Sequence, residues 1–256
     1  MSSSTWTPAA LSSEGRSLSG SCWRLVEAQH KISTLKFVDT VEEQQVLEQL
    51  IEDTKPALPD ECAGLHYLLS TPFRYGAVYP IGSRFRRAGL TEGVFYAAET
   101  PETAVAEIVF YRLLFFAESP GVPWPANASE YTAFSVSYAT RKGIDLTKGK
   151  LAKDRAHWTH PTDYSACQVL ADAARTAGIQ VIRYESVRDP KRGYNLALLT
   201  GRAFSQRKPS GQQTWHIRLS DAGAQAVCEA PSSGITFRWA SFSADPRIAG
   251  SDRRHR

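Results

Sequence analysis

The chain has no cysteine pair at C-x-x-C spacing. Cys22, Cys62, Cys167 and Cys228 stand far apart in 256 residues, which excludes a zinc knuckle and a dithiol redox centre. No run approaches the ~18 apolar residues of a membrane span. No basic start leads into an apolar stretch, so no secretory leader is expected. Also missing are a P-loop, a G-x-G-x-x-G fingerprint and a G-x-S-x-G nucleophile elbow. Charge of one sign is scarce too: 30 Lys and Arg face 26 Asp and Glu, a net +4. That excess is too mild to demand nucleic acid, and Arg253-Arg254-His255-Arg256 reads as a frayed basic tail. These absences predict a cytoplasmic protein of a reducing compartment, with no membrane and no direct nucleic-acid contact.

What is present describes a globular chain. Hydrophobic residues make up 42% and charged residues 22%, enough to build a core. Residues 1–20 are rich in Ser, Gly and Ala and read as a flexible N-terminal arm. A single domain is expected over 21–245, with a helical insertion at about 36–70 and a basic tail over 246–256. Thr40 and Glu43 form a capping-box pattern ahead of an apolar stripe, Val46, Leu47, Leu50 and Ile51. Val94 to Ala98 reads as a short buried strand. Thr100-Pro101-Glu102 then starts a helix, with an N-cap, a proline at the first helical position and an acid in the first turn. Ala104, Ile108 and Tyr111 stripe that helix. Further strands are expected at Tyr131–Ser137, Ile179–Tyr184, Asn195–Leu199, Trp215–Leu219 and Ile235–Trp239. A helix from about Asp163 turns Ala166, Val169, Leu170 and Ala173 inward and stops at Gly178. The fold class is α+β, with small, mainly antiparallel sheets flanked by helices.

The chemistry concentrates around Glu107. Gly82-Ser83-Arg84-Phe85 is a basic loop, Tyr96 lies on the following strand, and Ala104-Val105-Ala106-Glu107 lies on the helix after it. This order brings a cation, an aromatic face and a carboxylate towards one place, which suits a dinucleotide. The cation would take pyrophosphate and the aromatic ring a flat base. The carboxylate would take a ribose hydroxyl or a developing positive charge. Taken singly, each has an ordinary alternative. Glu107 would be a helix-surface glutamate, Arg84 a solvated loop arginine beside Arg86 and Arg87, and Tyr96 a core tyrosine. His157 and His160 have the wrong spacing for helical metal ligands and precede Pro161, so no metal is expected. Ser186 with Asp189 lacks the elbow of a hydrolase.

The ordered set resembles the RES domain, a family named for its arginine, glutamate and serine. The resemblance runs from Trp23 to Leu199 and is carried by Gly-x-Arg-aromatic, the strand with tyrosine, Ala-x-x-Glu, and a strand ending in serine before Asn-Leu-Ala-Leu. It identifies the three as Arg84, Glu107 and Ser186. Pro72-Phe73-Arg74-Tyr75 and Asp163-Tyr164-Ser165 are similar to the longer branch of that family. The resemblance implies an ADP-ribosyltransferase-like fold and NAD+ as substrate, with Glu107 and Arg84 catalytic. NAD+ binding is expected from Arg24, Arg84, Tyr96, Ser186 and Asn195, and Arg74 and Tyr75, in the basic aromatic stretch, are expected to line the mouth of the site. The resemblance also implies a bacterial toxin whose active site is covered by an Xre-type helix-turn-helix antitoxin. The acceptor of ADP-ribose is a protein target in the favoured reading and phosphate or water in the alternative. A non-enzymatic interaction module, using Arg84 to Arg87 against an acidic partner, is the rival class.

Overall fold

The computed structural model describes residues 6–27, 37–74, 80–89 and 91–249. Tyr75, residues 1–5 and the basic cluster at 253–256 lie outside the described residues. The helices are α1 (Pro8–Glu14), α2 (Val41–Asp53), α3 (Tyr67–Ser70), α4 (Pro101–Glu118), α5 (Arg155–Trp158), α6 (Ser165–Thr176) and α7 (Pro246–Ala249). The strands are β1 (Arg16–Glu27), β2 (Phe95–Ala98), β3 (Ser129–Asp145), β4 (Val181–Glu185), β5 (Tyr194–Leu198), β6 (Gly211–Ser220), β7 (Gly223–Cys228) and β8 (Ser233–Phe237). All eight strands belong to one sheet, ordered β1-β2-β5-β4-β3-β6-β7-β8. Every pairing is antiparallel except β3 with β4.

The 17-residue strand β3 organises the sheet. It pairs with β1 from Arg16↔Gly143 to Glu27↔Tyr131. It also pairs with β6 over Ser129–Ser135 and with β4 over Gly143–Asp145. Strand β1 meets β2 as well, at Trp23↔Ala98. The series β1-β2-β5-β4-β3 therefore returns on itself, while β6 to β8 extend outward from β3.

Helix α4 starts as its sequence requires. The Thr100 side chain accepts from the Thr103 N–H, Pro101 opens the first turn, and Glu102 sits near the positive end of the dipole. One face buries Val105, Val109, Phe110 and Leu113 against Trp215, Ile217, Phe237 and Phe242. Each such side chain contributes about 1.5–3 kcal/mol by leaving water. The stripe Ala104, Ile108 and Tyr111 instead faces a cavity, and Glu107 stands among its residues.

Several expectations are corrected here. Residues 6–20 are ordered structure and no loose arm. Thr7 caps α1, Pro8 fills its first position, Leu11 is fully buried, and Trp6 Nε1 donates to Asp154 Oδ2 at 2.6 Å. The small polar residues of β1 hid a strand whose long partner β3 supplies much of the apolar surface. Helix α2 forms with its capping box, yet it contains no buried residue, and Val46 and Leu50 are 60% and 58% exposed. The inward face of α6 centres on Cys167, Leu170, Ala171 and Ala174, with the expected Ala166 and Ala173 packed at its edge, and Val169 faces out. Strand β7 was not expected because its inward residues, Ala224, Ala226 and Cys228, are small. The chain beyond residue 202 belongs to the core through Trp215, Trp239, Phe242 and Ile248.

Candidate active site

Glu107, in the second turn of α4, is gripped from the sheet. Its Oε1 accepts from Ser186 Oγ at 2.7 Å and from Asn195 Nδ2 at 2.6 Å. Ser186 follows the last residue of β4, and Asn195 is the second residue of β5. The register Tyr184↔Asn195 and Glu185↔Tyr194 sets the two donors side by side under the helix. Hydrogen bonds to an ionised carboxylate are short and strong, and two of them on one oxygen fix the side chain's rotamer. The clasp takes Oε1 alone.

Ser186 is 1% exposed and stands behind Glu107, away from the cavity wall. Its Oγ accepts the backbone N–H groups of Arg188 at 3.2 Å and Asp189 at 3.0 Å while donating to the carboxylate. The serine expected to contact the substrate thus spends its hydroxyl hydrogen bonds on Glu107 and on its own turn. The turn after it is tied to the start of α4: Asp189 Oδ2 accepts from Thr103 Oγ1 at 2.8 Å and from the Gly193 N–H at 3.2 Å. Gly193 also offers its carbonyl to the Ser186 N–H at 2.8 Å. A methyl group at 193 would overlap both Thr103 Oγ1 and Asp189 Oδ2. Gly193→Ala should therefore destabilise by about 1–3 kcal/mol, as overpacking does. Urea denaturation reads this directly, and wild-type stability in the variant would show that the turn gives way freely.

A cavity of about 320 Å³ opens beside Glu107. Trp23 and Arg24 of β1, Tyr96 of β2, Tyr184 of β4 and Asn195 of β5 line it from the sheet. A second cavity of about 300 Å³ shares Arg24, Ser83 and Tyr96 with the first, and Tyr67, Leu68, Thr71 and Pro72 form its far wall. Arg24 stands at the junction. Its Nη1 donates to the Tyr96 carbonyl at 2.8 Å, and its guanidinium lies 5.1 Å from the Phe95 ring centroid. Tyr96 Oη shares a hydrogen bond with Ser83 Oγ at 2.8 Å and accepts the Phe85 N–H at 3.0 Å. Burial pushes its phenol up to about 12, against the opposing pull of those two bonds. Tyr96 is thus a neutral ring whose hydroxyl anchors the 83–85 loop. Burial, and then the negative charge of Glu107, hold the Tyr184 phenol well above its ordinary value.

Arg84 lines the same cavity but is only 8% exposed. Nη1 donates to the Trp158 carbonyl at 2.7 Å and Nη2 to the His160 carbonyl at 3.1 Å, with the Tyr164 ring 4.6 Å away. The guanidinium expected to grip pyrophosphate holds the 158–160 backbone in this structure. Arg74 lies away from this cavity, paired with Glu52 of α2. His160 serves its own turn, Nδ1 accepting the Asp163 N–H at 2.8 Å. Among the described residues, no group of three His, Cys, Asp or Glu could hold a metal ion, and no helix is long and apolar enough to cross a membrane.

Trp23, Tyr111, Tyr164, Tyr184 and Arg188 also line the cavity and escaped the sequence reading as site groups. Tyr111 was marked only as part of the helix stripe. Arg188 lies two residues beyond Ser186, and that proximity was the available signal. The fold and site together define an α+β protein with a clasped carboxylate beside two adjoining cavities that meet at an arginine. A family model, the RES domain, matches residues 58–220, and the chain belongs to that family. A chain in the crystal structure of the M. tuberculosis MbcT–MbcA toxin–antitoxin complex is similar in structure, with a TM-score of 0.47 and 13% identity over 82% of this chain and 91% of that chain. No curated protein matches the sequence.

Proposed function

We propose that this RES-domain protein cleaves the nicotinamide–ribose bond of NAD+ and transfers ADP-ribose to an acceptor. The observation that carries the reading is the carboxylate of Glu107, held on one oxygen by Ser186 and Asn195 at the wall of the cavity. When the bond breaks, its electron pair leaves with the nicotinamide nitrogen and positive charge develops on the ribose. A preoriented carboxylate stabilises that charge and accepts a ribose hydroxyl without reorganising. The nicotinamide riboside half occupies the first cavity against Tyr96, Tyr184 and Trp23. Arg24 at the junction takes the pyrophosphate, and the second cavity takes the adenosine half. Arg84 acts by holding the loop that carries Tyr164. The acceptor then attacks the ribose carbon and takes its place in the bond that nicotinamide left.

The favoured acceptor is a protein side chain. Tyr111 at the cavity and Phe115 one turn further on the same face of α4 are 49% and 50% exposed, which suits contact with a protein surface. In this reading the protein is a toxin restrained by an Xre-type antitoxin that covers the cavity, as its family resemblance implies. The test is NAD+ turnover by the purified chain, with mass spectrometry of products formed with and without phosphate and with cell lysate. Nicotinamide release together with a modified lysate protein supports the transferase. ADP-ribose 1″-phosphate marks a phosphorylase and free ADP-ribose a glycohydrolase. An intact NAD+ pool under all conditions sinks the enzymatic reading.

A further inference from the structure

Arg188 and Asp245 form an ion pair at 2.6 Å whose side chains are 2% and 1% exposed. Pairs this deep contribute little net stability, because desolvation offsets their attraction, so their value lies in geometry. Arg188 uses the planar fork of its guanidinium on two sides. Nη1 faces Asp245 Oδ2, while Nη2 donates to the Pro161 carbonyl and to Tyr164 Oη. The plane itself lies 3.8 Å from the ring centroid of Phe110 on α4. The backbone N–H of Arg188 donates to Ser186 Oγ, the hydroxyl that in turn donates to Glu107. One residue thus joins the turn after β4, the 158–164 loop and the helix of the clasp.

Asp245 is itself well held. Its Oδ1 accepts the Arg247 N–H at 2.9 Å and Nε at 3.0 Å, and Oδ2 accepts Arg247 Nη2 at 2.9 Å. It lies beyond residue 220, where the family match ends. Both Arg188 and Glu107 line the cavity, so an Arg188 without its carboxylate partner would be a buried cation drawn to the charge of Glu107. We infer that Asp245 is a positioning residue for the active site. It fixes the Arg188 guanidinium, which sets Tyr164 and the 158–164 loop over the cavity and leaves the Glu107 carboxylate to the substrate. The kinetic part of this inference rests on the proposed NAD+ reaction; the structural part stands without it.

Asp245→Asn keeps the shape and removes the charge. The expected result is a fall of roughly 10²-fold in kcat for NAD+ cleavage with little change in KM, the scale of a misplaced reacting group. Tyr164→Phe lies on the same chain of contacts, so the double variant should lose no more than the worse single variant. Hydrogen exchange by mass spectrometry should show residues 158–165 exchanging faster in Asp245→Asn than in the wild type. If that variant fails to fold, the apolar pair Arg188→Met with Asp245→Leu replaces both charges and should show the same kinetic loss and the same faster exchange. Wild-type exchange over 158–165 would overturn the inference, as would losses that multiply in the double variant or a wild-type kcat in the apolar pair. If the wild type consumes no NAD+, the proposed reaction fails, and the exchange arm alone decides the role of Asp245.

Discussion

Glu107→Gln should lower kcat for NAD+ cleavage by roughly 10³-fold, the effect of removing one preoriented electrostatic group from a developing charge. The substitution isolates charge from shape. A glutamine at 107 keeps an oxygen where Oε1 now accepts from Ser186 Oγ and Asn195 Nδ2, so the clasp survives. Packing of α4 is little disturbed, because glutamine matches glutamate in size and the core residues Val105 and Val109 lie on the far side of the helix. Thermal unfolding within a few degrees of wild type, alongside the kinetic loss, would place the effect in the chemistry. A variant that cleaves NAD+ at the wild-type rate would remove Glu107 from the reaction. A chain that acts only as an interaction module would show no such loss and would bind its partner as before.

Asn195→Asp should make activity steeply dependent on pH. Asn195 Nδ2 lies 2.6 Å from Glu107 Oε1, and Asn195 is 4% exposed. A second carboxylate at that distance cannot ionise together with the first, so the pair holds one proton between them. Their titration belongs to the pair, and its upper value rises above the ordinary carboxylate range. Below that value the proton is retained and the charge available on Glu107 falls; above it the proton leaves and the charge returns. Activity should therefore step from a lower plateau, where one proton is shared between the two carboxylates, to a higher one above the upper value. Asn195→Leu is the control. It removes a hydrogen bond and adds no titratable group, so its loss should be smaller and flat in pH. A pH profile of Asn195→Asp that overlays the wild type from mildly acid to mildly alkaline conditions would contradict the contact.

The parts of this molecule written in local patterns were legible. The cap and proline at Thr100-Pro101 located α4, and the stripe Ala104, Ile108 and Tyr111 marked the face that carries Glu107. The capping box of α2 located that helix, but periodicity alone does not say whether an apolar stripe finds a partner, and among the described residues this one faces solvent. What was not legible depends on contacts between distant segments. Nothing near Ser186 shows that its hydroxyl points at a helix 79 residues earlier. The Arg188–Asp245 pair spans 57 residues and lies between two unremarkable stretches. Arg84 was expected to grip pyrophosphate, and only the fold shows that its guanidinium donates to backbone carbonyls of the 158–160 loop.

The place of Asp245 in the sequence has a consequence for biosynthesis. A ribosome that has made the chain as far as residue 200 has already produced Arg24, Arg84, Tyr96, Glu107, Ser186 and Asn195. The nascent polypeptide at that point lacks β6, β7 and β8, the strands that cover the buried side of α4, and it lacks the aspartate that holds Arg188. Domains fold as units once their last packing element has emerged. Under the proposed reaction, a chain still on the ribosome would therefore be inert towards NAD+, and activity would begin only after the segment up to residue 248 has been made and packed. That delay leaves an interval in which a partner can meet the chain before the site is assembled.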